Sequence, residues 1–300
     1  MMPASAARRA SRGSILKRGM RQNIEQLIAH GQLDEASAQL SALLQGDGAA
    51  SSGGAASSGA VSGSDLSWAY RKRAQICFMQ NELEESVAHA QKALQCARDA
   101  GDDEQAAEAE NSLGIVMGEQ GRLAEAVLHF EHSHKLHRKT GSPRLGLVLN
   151  NIGNTLLILD DATRALNYFR EAVQAARRAA RDQRGNEAFT NLKATALSNI
   201  GRAYQKLGRP DRAMTYLRQS ARIYKAAGME TFHVHSLAKL AAAHEDANEV
   251  EKAETLYRQA LASSEARADA TWVYELHGSL GTLLSTQSRY EEAAPHLEAA

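Results

Sequence analysis

A short phrase recurs seven times along this chain, and its spacing restricts the fold more than any other feature. Each copy has a turn residue, an apolar residue, acidic or polar residues and then a small residue. It reads Gly31-Gln-Leu-Asp-Glu-Ala36, Asn81-Glu-Leu-Glu-Glu-Ser86, Gly121-Arg-Leu-Ala-Glu-Ala126 and Asp160-Asp-Ala-Thr-Arg-Ala165. The remaining copies are Gly208-Arg-Pro-Asp-Arg-Ala213, Asn248-Glu-Val-Glu-Lys-Ala253 and Ser288-Arg-Tyr-Glu-Glu-Ala293. The closing small residues stand 50, 40, 39, 48, 40 and 40 apart. Self-similarity at a fixed period of this length is the mark of a stacked repeat architecture.

The residue types in the phrase describe a helix–turn–helix corner. Gly31, Gly121 and Gly208, or Asn81 and Asn248, suit the left-handed conformation that ends a helix. The acidic residues that follow suit the positive end of the next helix dipole. Pro210 falls near a first helical position, where its missing N–H costs nothing. The closing small residue lets two antiparallel helices cross closely. Four residues later stands a large side chain: Leu40, Phe130, Phe169, Leu217, Tyr257 or Leu297, with only Ala90 in the second repeat. The first helix of each pair carries an apolar–small pair, as in Leu113-Gly114, Ile152-Gly153, Ile200-Gly201, Leu240-Ala241 and Leu280-Gly281. A mid-helix glycine costs up to about 1 kcal/mol against alanine, so close helix approach is its expected use. Three residues on come Met117, Leu156, Tyr204, His244 and Leu284.

Ile200-Gly201…Tyr204, Ala126…Phe130 and Ala165…Phe169 resemble the L-G-x2-Y and A-x3-F signature of the tetratricopeptide repeat family. The resemblance covers about residues 23–300. It implies an all-α, right-handed superhelical solenoid of about seven antiparallel helix pairs. The usual period in that family is 34, and the closing proline is absent here apart from Pro143. The longer 40-residue type is similar to the repeats of kinesin light chains, Pins-type polarity scaffolds and bacterial signalling regulators.

The expected organisation is a basic disordered arm at 1–22, a first hairpin at 23–45, a disordered insertion at 46–64 and six further repeats at 65–300. The insertion is almost wholly Gly, Ala and Ser, and such a segment buries too little apolar surface to offset its ordering entropy. A shorter, charged insertion near 181–187 is able to extend its flanking helices instead. Pro295 is expected to kink or fray the last helix. The seventh repeat stops inside that helix, so the natural chain is expected to continue past Ala300.

Lys and Arg number 35, and so do Asp and Glu. Zero net charge argues against a nucleic-acid binder. Residues 1–22 hold six of the bases (Arg8, Arg9, Arg12, Lys17, Arg18, Arg21) and no acid. That composition is also that of an organellar transit peptide, but a solvated arm on a cytoplasmic protein is the preferred reading. Arg8-Arg9-Ala10-Ser11 fits a basophilic kinase site, which marks Ser11 for phosphorylation. No apolar run approaches the roughly 18 residues of a membrane span. Cys77 and Cys96 lie on two antiparallel helices at unequal distances from the turn and are expected to remain thiols.

Catalytic patterns are missing. There is no Gly-rich phosphate loop, H-E-x-x-H, C-x-x-C or G-x-S-x-G, so neither an enzyme nor a cofactor is expected. His129, His132, His134 and His137 share one helix but fan too widely to converge on one ion, and no metal site is assigned.

The binding signal is polar. Asn150, Asn151 and Asn154 crowd one first helix although asparagine is a poor helix former. The same register gives Asn111 and Ser112 one repeat earlier and Ser198, Asn199 and Arg202 one repeat later. Arg71 and Lys72 precede the series and Lys239 follows it. The family resemblance implies that these positions line a concave groove, where amides grip a ligand backbone. Asparagine offers the donor and acceptor that this needs, and the basic residues favour an acidic ligand. The competing reading is that the amides only bond neighbouring helices. The expected function is a non-enzymatic scaffold that holds an extended or helical segment of another protein. The alternatives are the sensory region of a larger cyclase, kinase or transcription regulator, and a cytoskeletal or ciliary adaptor.

Overall fold

A computed structural model describes residues 19–48, 61–183, 185–267 and 269–300. Most of the basic arm, with Ser11, and most of the Gly/Ala/Ser insertion lie outside the described residues. The described residues are α-helical, with no strand among them. They form two compact units, divided between Thr140 and Gly141.

The first unit contains α1 (19–29), α2 (Leu33–Gly48), α3 (Gly63–Met79), α4 (Leu83–Asp99), α5 (Asp103–Glu119) and α6 (Leu123–Thr140). Helix α1 begins inside the span read as arm, and α2 and α3 reach into the span read as insertion. The second unit contains α7 (Leu145–Ile158), α8 (Ala162–Asp182), α9 (Glu187–Lys206) and α10 (Pro210–Ala226). It continues with α11 (Glu230–Asp246), α12 (Val250–Glu265), α13 (Ala270–Thr286) and α14 (Tyr290–Glu298). Within each unit consecutive helices pack against one another. The architecture is therefore the all-α array of antiparallel helix pairs that the repeats imply.

All seven phrases are helix corners, and all close in the same way. The turn residue has positive φ at every copy: Gly31, Asn81, Gly121, Asp160, Gly208, Asn248 and Ser288 lie between 59° and 75°. The next residue's N–H bonds back to the carbonyl five residues earlier, for example Glu82 to Cys77 at 2.8 Å and Arg209 to Tyr204 at 2.9 Å. This closure satisfies carbonyls that a helix end otherwise leaves open. The charged segment near 181–187 does extend its neighbours: α8 runs to Asp182 and α9 starts at Glu187. Helix α14 runs through Pro295 to Glu298.

The mid-helix glycines are sockets. A Cβ on Gly153 would stand 2.5 Å from the Phe169 ring, and one on Gly114 would stand 2.6 Å from Phe130. Gly201 meets Leu217 at 2.6 Å and Gly281 meets Leu297 at 2.7 Å. Each socket lies 16 residues before its key, inside the same hairpin. The second repeat has Ala74 and Ala90 at these places, both buried in one cluster. A smaller key there goes with a fuller socket. Among the described residues no helix is long and apolar enough to cross a membrane. Cys77 and Cys96 are free thiols, the first buried and the second half-buried.

Candidate functional site

The polar residues singled out in the sequence sit on the first helices of their hairpins, and their surroundings differ between the two units. In the first unit they are engaged internally. Arg71 on α3 donates to Glu108 Oε2 and Gln105 Oε1 of α5, both at 3.2 Å. Lys72 stands 3.2 Å from Glu25 of α1. Ser112 donates back to the Glu108 carbonyl at 3.0 Å, and Asn111 is half-buried beside it.

In the second unit α7, α9 and α11 bring five of the named residues into three contacts. Asn199 Nδ2 donates to Asn150 Oδ1 at 2.9 Å, and both residues are buried. This amide pair joins α7 to α9, which is the structural role that was set against ligand binding. Arg202 Nη1 reaches Asn199 Oδ1 at 3.4 Å, and Lys239 Nζ reaches Ser198 Oγ at 3.5 Å. Asn151 and Asn154 are half-buried on α7, one helical turn apart. Asn154 Oδ1 is buried with no hydrogen-bond partner among the described residues.

Arg202 and Lys239 are the electrostatic centre of this face. Among the described residues neither forms an ion pair with a carboxylate. Burial, with Arg202 beside it, lowers the Lys239 ammonium to about 8. Burial, with Lys239 and Arg202, lowers the His235 imidazole to about 4. His235 packs on Trp272 with ring centroids 4.5 Å apart, so an apolar wall flanks the two cations. An exposed guanidinium and a partly desolvated ammonium thus lie on one face with no carboxylate paired to either among the described residues.

The sequence reading missed the acidic partners. Glu25 and Arg202 occupy the same register, one residue after the small-residue position of their first helices. Comparing charge at that position between repeats would have separated the neutralised basic residues from the open ones. Glu110 was missed as well. His129 and His132 turn toward it, whereas His137 is buried 3.6 Å from Glu108. A second cluster, Cys77 with Glu82 and Glu85, sits at the α3–α4 corner, where burial and Glu82 raise the thiol above its ordinary value.

A family model described as tetratricopeptide repeat matches residues 65–139 and 144–226, and another of the same description matches 236–271. No curated protein matches the chain. Among solved structures, the apo form of RapI is similar with a TM-score of 0.67 at 11% identity, covering 94% of this chain and 95% of that one. A Rap protein complexed with competence and sporulation factor gives 0.57 at 14%, covering 95% and 96%. A signal transduction ATPase with numerous domains and a tetratricopeptide repeat sensor, from Pyrococcus horikoshii, gives 0.73 at 14%. It is covered over 42% of its length by 94% of this chain. At these identities the likeness is one of fold.

Proposed function

Since the chain belongs to the tetratricopeptide repeat family, we propose that it is a non-enzymatic scaffold that holds an acidic segment of a partner protein on the first-helix face of its second unit. The observation that carries this reading is the pair Arg202 and Lys239, two cations on adjacent first helices that meet hydroxyl and amide oxygens instead of carboxylates. A desolvated lysine lowered to about 8 gains from any anion that docks beside it. Asn151 and Asn154 lie on the same face and supply amides for the ligand backbone. The Rap protein of similar fold, complexed with competence and sporulation factor, supports ligand binding by such an array. Cytoplasmic residence goes with this reading, because Cys77 and Cys96 are thiols.

The test is affinity capture from native lysate with the unaltered protein and with Arg202→Glu, quantified by mass spectrometry. Arg202 is exposed, so the variant keeps its fold. Partners with acidic segments should be depleted at least about tenfold, the loss of one good charge-assisted contact. Equal capture by both proteins would remove this face from the binding site.

A second reading makes the chain the sensor region of a larger signalling protein, in line with its likeness to the Pyrococcus horikoshii ATPase that carries such a sensor. Reading the natural transcript beyond the codon for Ala300 separates the two. An effector domain there supports the second, and a stop codon rejects it.

A further inference from the structure

Glu110 is the most deeply buried carboxylate among the described residues, with 2% of its surface exposed. It projects from α5, and two histidines of α6, one helical turn apart, converge on it. His129 Nδ1 lies 2.7 Å from Glu110 Oε2, and His132 Nδ1 lies 3.7 Å from Oε1. One ligand atom from each of the three residues lies within 4.8 Å of the others. Arg98 Nη2 of α4 holds Oε1 at 2.9 Å and so fixes the plane of the carboxylate.

We propose that Glu110, His129 and His132 form a binding site for a divalent transition-metal ion, with zinc the best fit. Two imidazoles and one carboxylate are a borderline N/O donor set of the kind zinc accepts in sites that keep one position open. Bonds of about 2.0–2.1 Å place ligand atoms roughly 3.3 Å apart around a tetrahedral ion. His129 Nδ1 already stands 2.7 Å from Oε2, whereas His132 Nδ1 lies 3.7 Å from Oε1, so His132 has to turn toward Oε2 for the three donors to share one ion. The ion takes the place of the contact between His129 Nδ1 and Glu110 Oε2. Arg98 remains on the second carboxylate oxygen as an outer-shell partner. Its charge opposes the ion at close range, but its side chain is 59% exposed and that repulsion is screened by water.

The cluster is open to solvent on its histidine side. His132 is 54% exposed and His129 27%, so an ion reaches the cluster past His132. Its structural effect is to tie α5 to α6 within one hairpin. The Cys77–Glu82–Glu85 cluster is a weaker candidate, because burial and Glu82 oppose the thiolate that a metal needs.

The experiment titrates the chelator-stripped full chain with zinc chloride by calorimetry and with cobalt(II) by visible absorption. The expected result is one saturable ion per chain, d–d bands on cobalt binding and a higher melting temperature with zinc. His132→Ala, at an exposed position, should weaken zinc binding at least about tenfold and leave the metal-free melting curve unchanged. Glu110→Gln should do the same to binding, and His134→Ala, on the same helix but outside the cluster, should change nothing. Zinc binding that His132→Ala leaves intact, or the lack of a stoichiometric zinc isotherm in the unaltered protein, would overturn the proposal.

Discussion

Lys72 in the first unit and Lys239 in the second occupy the same place in their hairpins, two residues before the small residue of the first helix. The neighbouring hairpin presents Glu25 to the first and Arg202 to the second. Lys72 therefore has a carboxylate at 3.2 Å, whereas Lys239 has a hydroxyl at 3.5 Å and a second cation nearby. Hairpins also differ from one another in how they close. Ala74 and Ala90 stand where the second unit has Gly153 under Phe169 and Gly201 under Leu217. One helical frame thus carries both a neutralised face and an open one. The difference lies in single residues at matched positions, not in the frame.

The largest effect should come from the hairpin closure. Phe169→Ala should cost about 3–5 kcal/mol in chemical denaturation, the usual penalty for emptying an aromatic core position. Ala90, its counterpart, has no such side chain to lose. Next, Gly153→Ala should cost about 1–3 kcal/mol, because its Cβ falls 2.5 Å from the Phe169 ring. The reciprocal Ala74→Gly should cost only about 1 kcal/mol, the helix-propensity difference. Similar losses from Gly153→Ala and Ala74→Gly would break the comparison of sockets.

The charge comparison is sharpened by exchanging its deciding residue. Arg202→Glu should carry Lys239 from about 8 back toward 10.5, read by NMR titration of the lysine side chain. The effect on stability should be within about 1 kcal/mol, as for other solvent-accessible pairs. The smallest effect is on pH dependence. Lys239 binds its proton more weakly folded than unfolded, so between about 8 and 10.5 the unfolded chain carries more protons. Stability should rise with pH across that window, and Lys239→Met should remove the increment. Affinity for an acidic ligand should fall over the same range as the ammonium is lost.

What was legible in the sequence is local. The seven corners, the sockets and their keys, and the free thiols all follow from residues within one hairpin. The pairings that decide the charge of each face join residues far apart. Asn150 meets Asn199 across 49 positions, and Lys72 meets Glu25 from the far side of the Gly/Ala/Ser segment. The four histidines were legible as a group, yet which of them act together depends on Glu110, which helix α5 supplies. A helical wheel of α6 alone has no place for it.

The location of each glycine socket and its key inside one hairpin bears on how such a chain changes over generations. A hairpin that is copied or lost takes both halves of its closure with it, so copy number can vary without opening a cavity elsewhere. Within a hairpin the two positions are bound to drift in concert. Ala241 stands 16 residues before Tyr257, so an aromatic key tolerates an alanine socket, whereas a fully cleared socket is a defect until a large key arrives. Ala74 with Ala90, and Gly153 with Phe169, are two settled ends of that path.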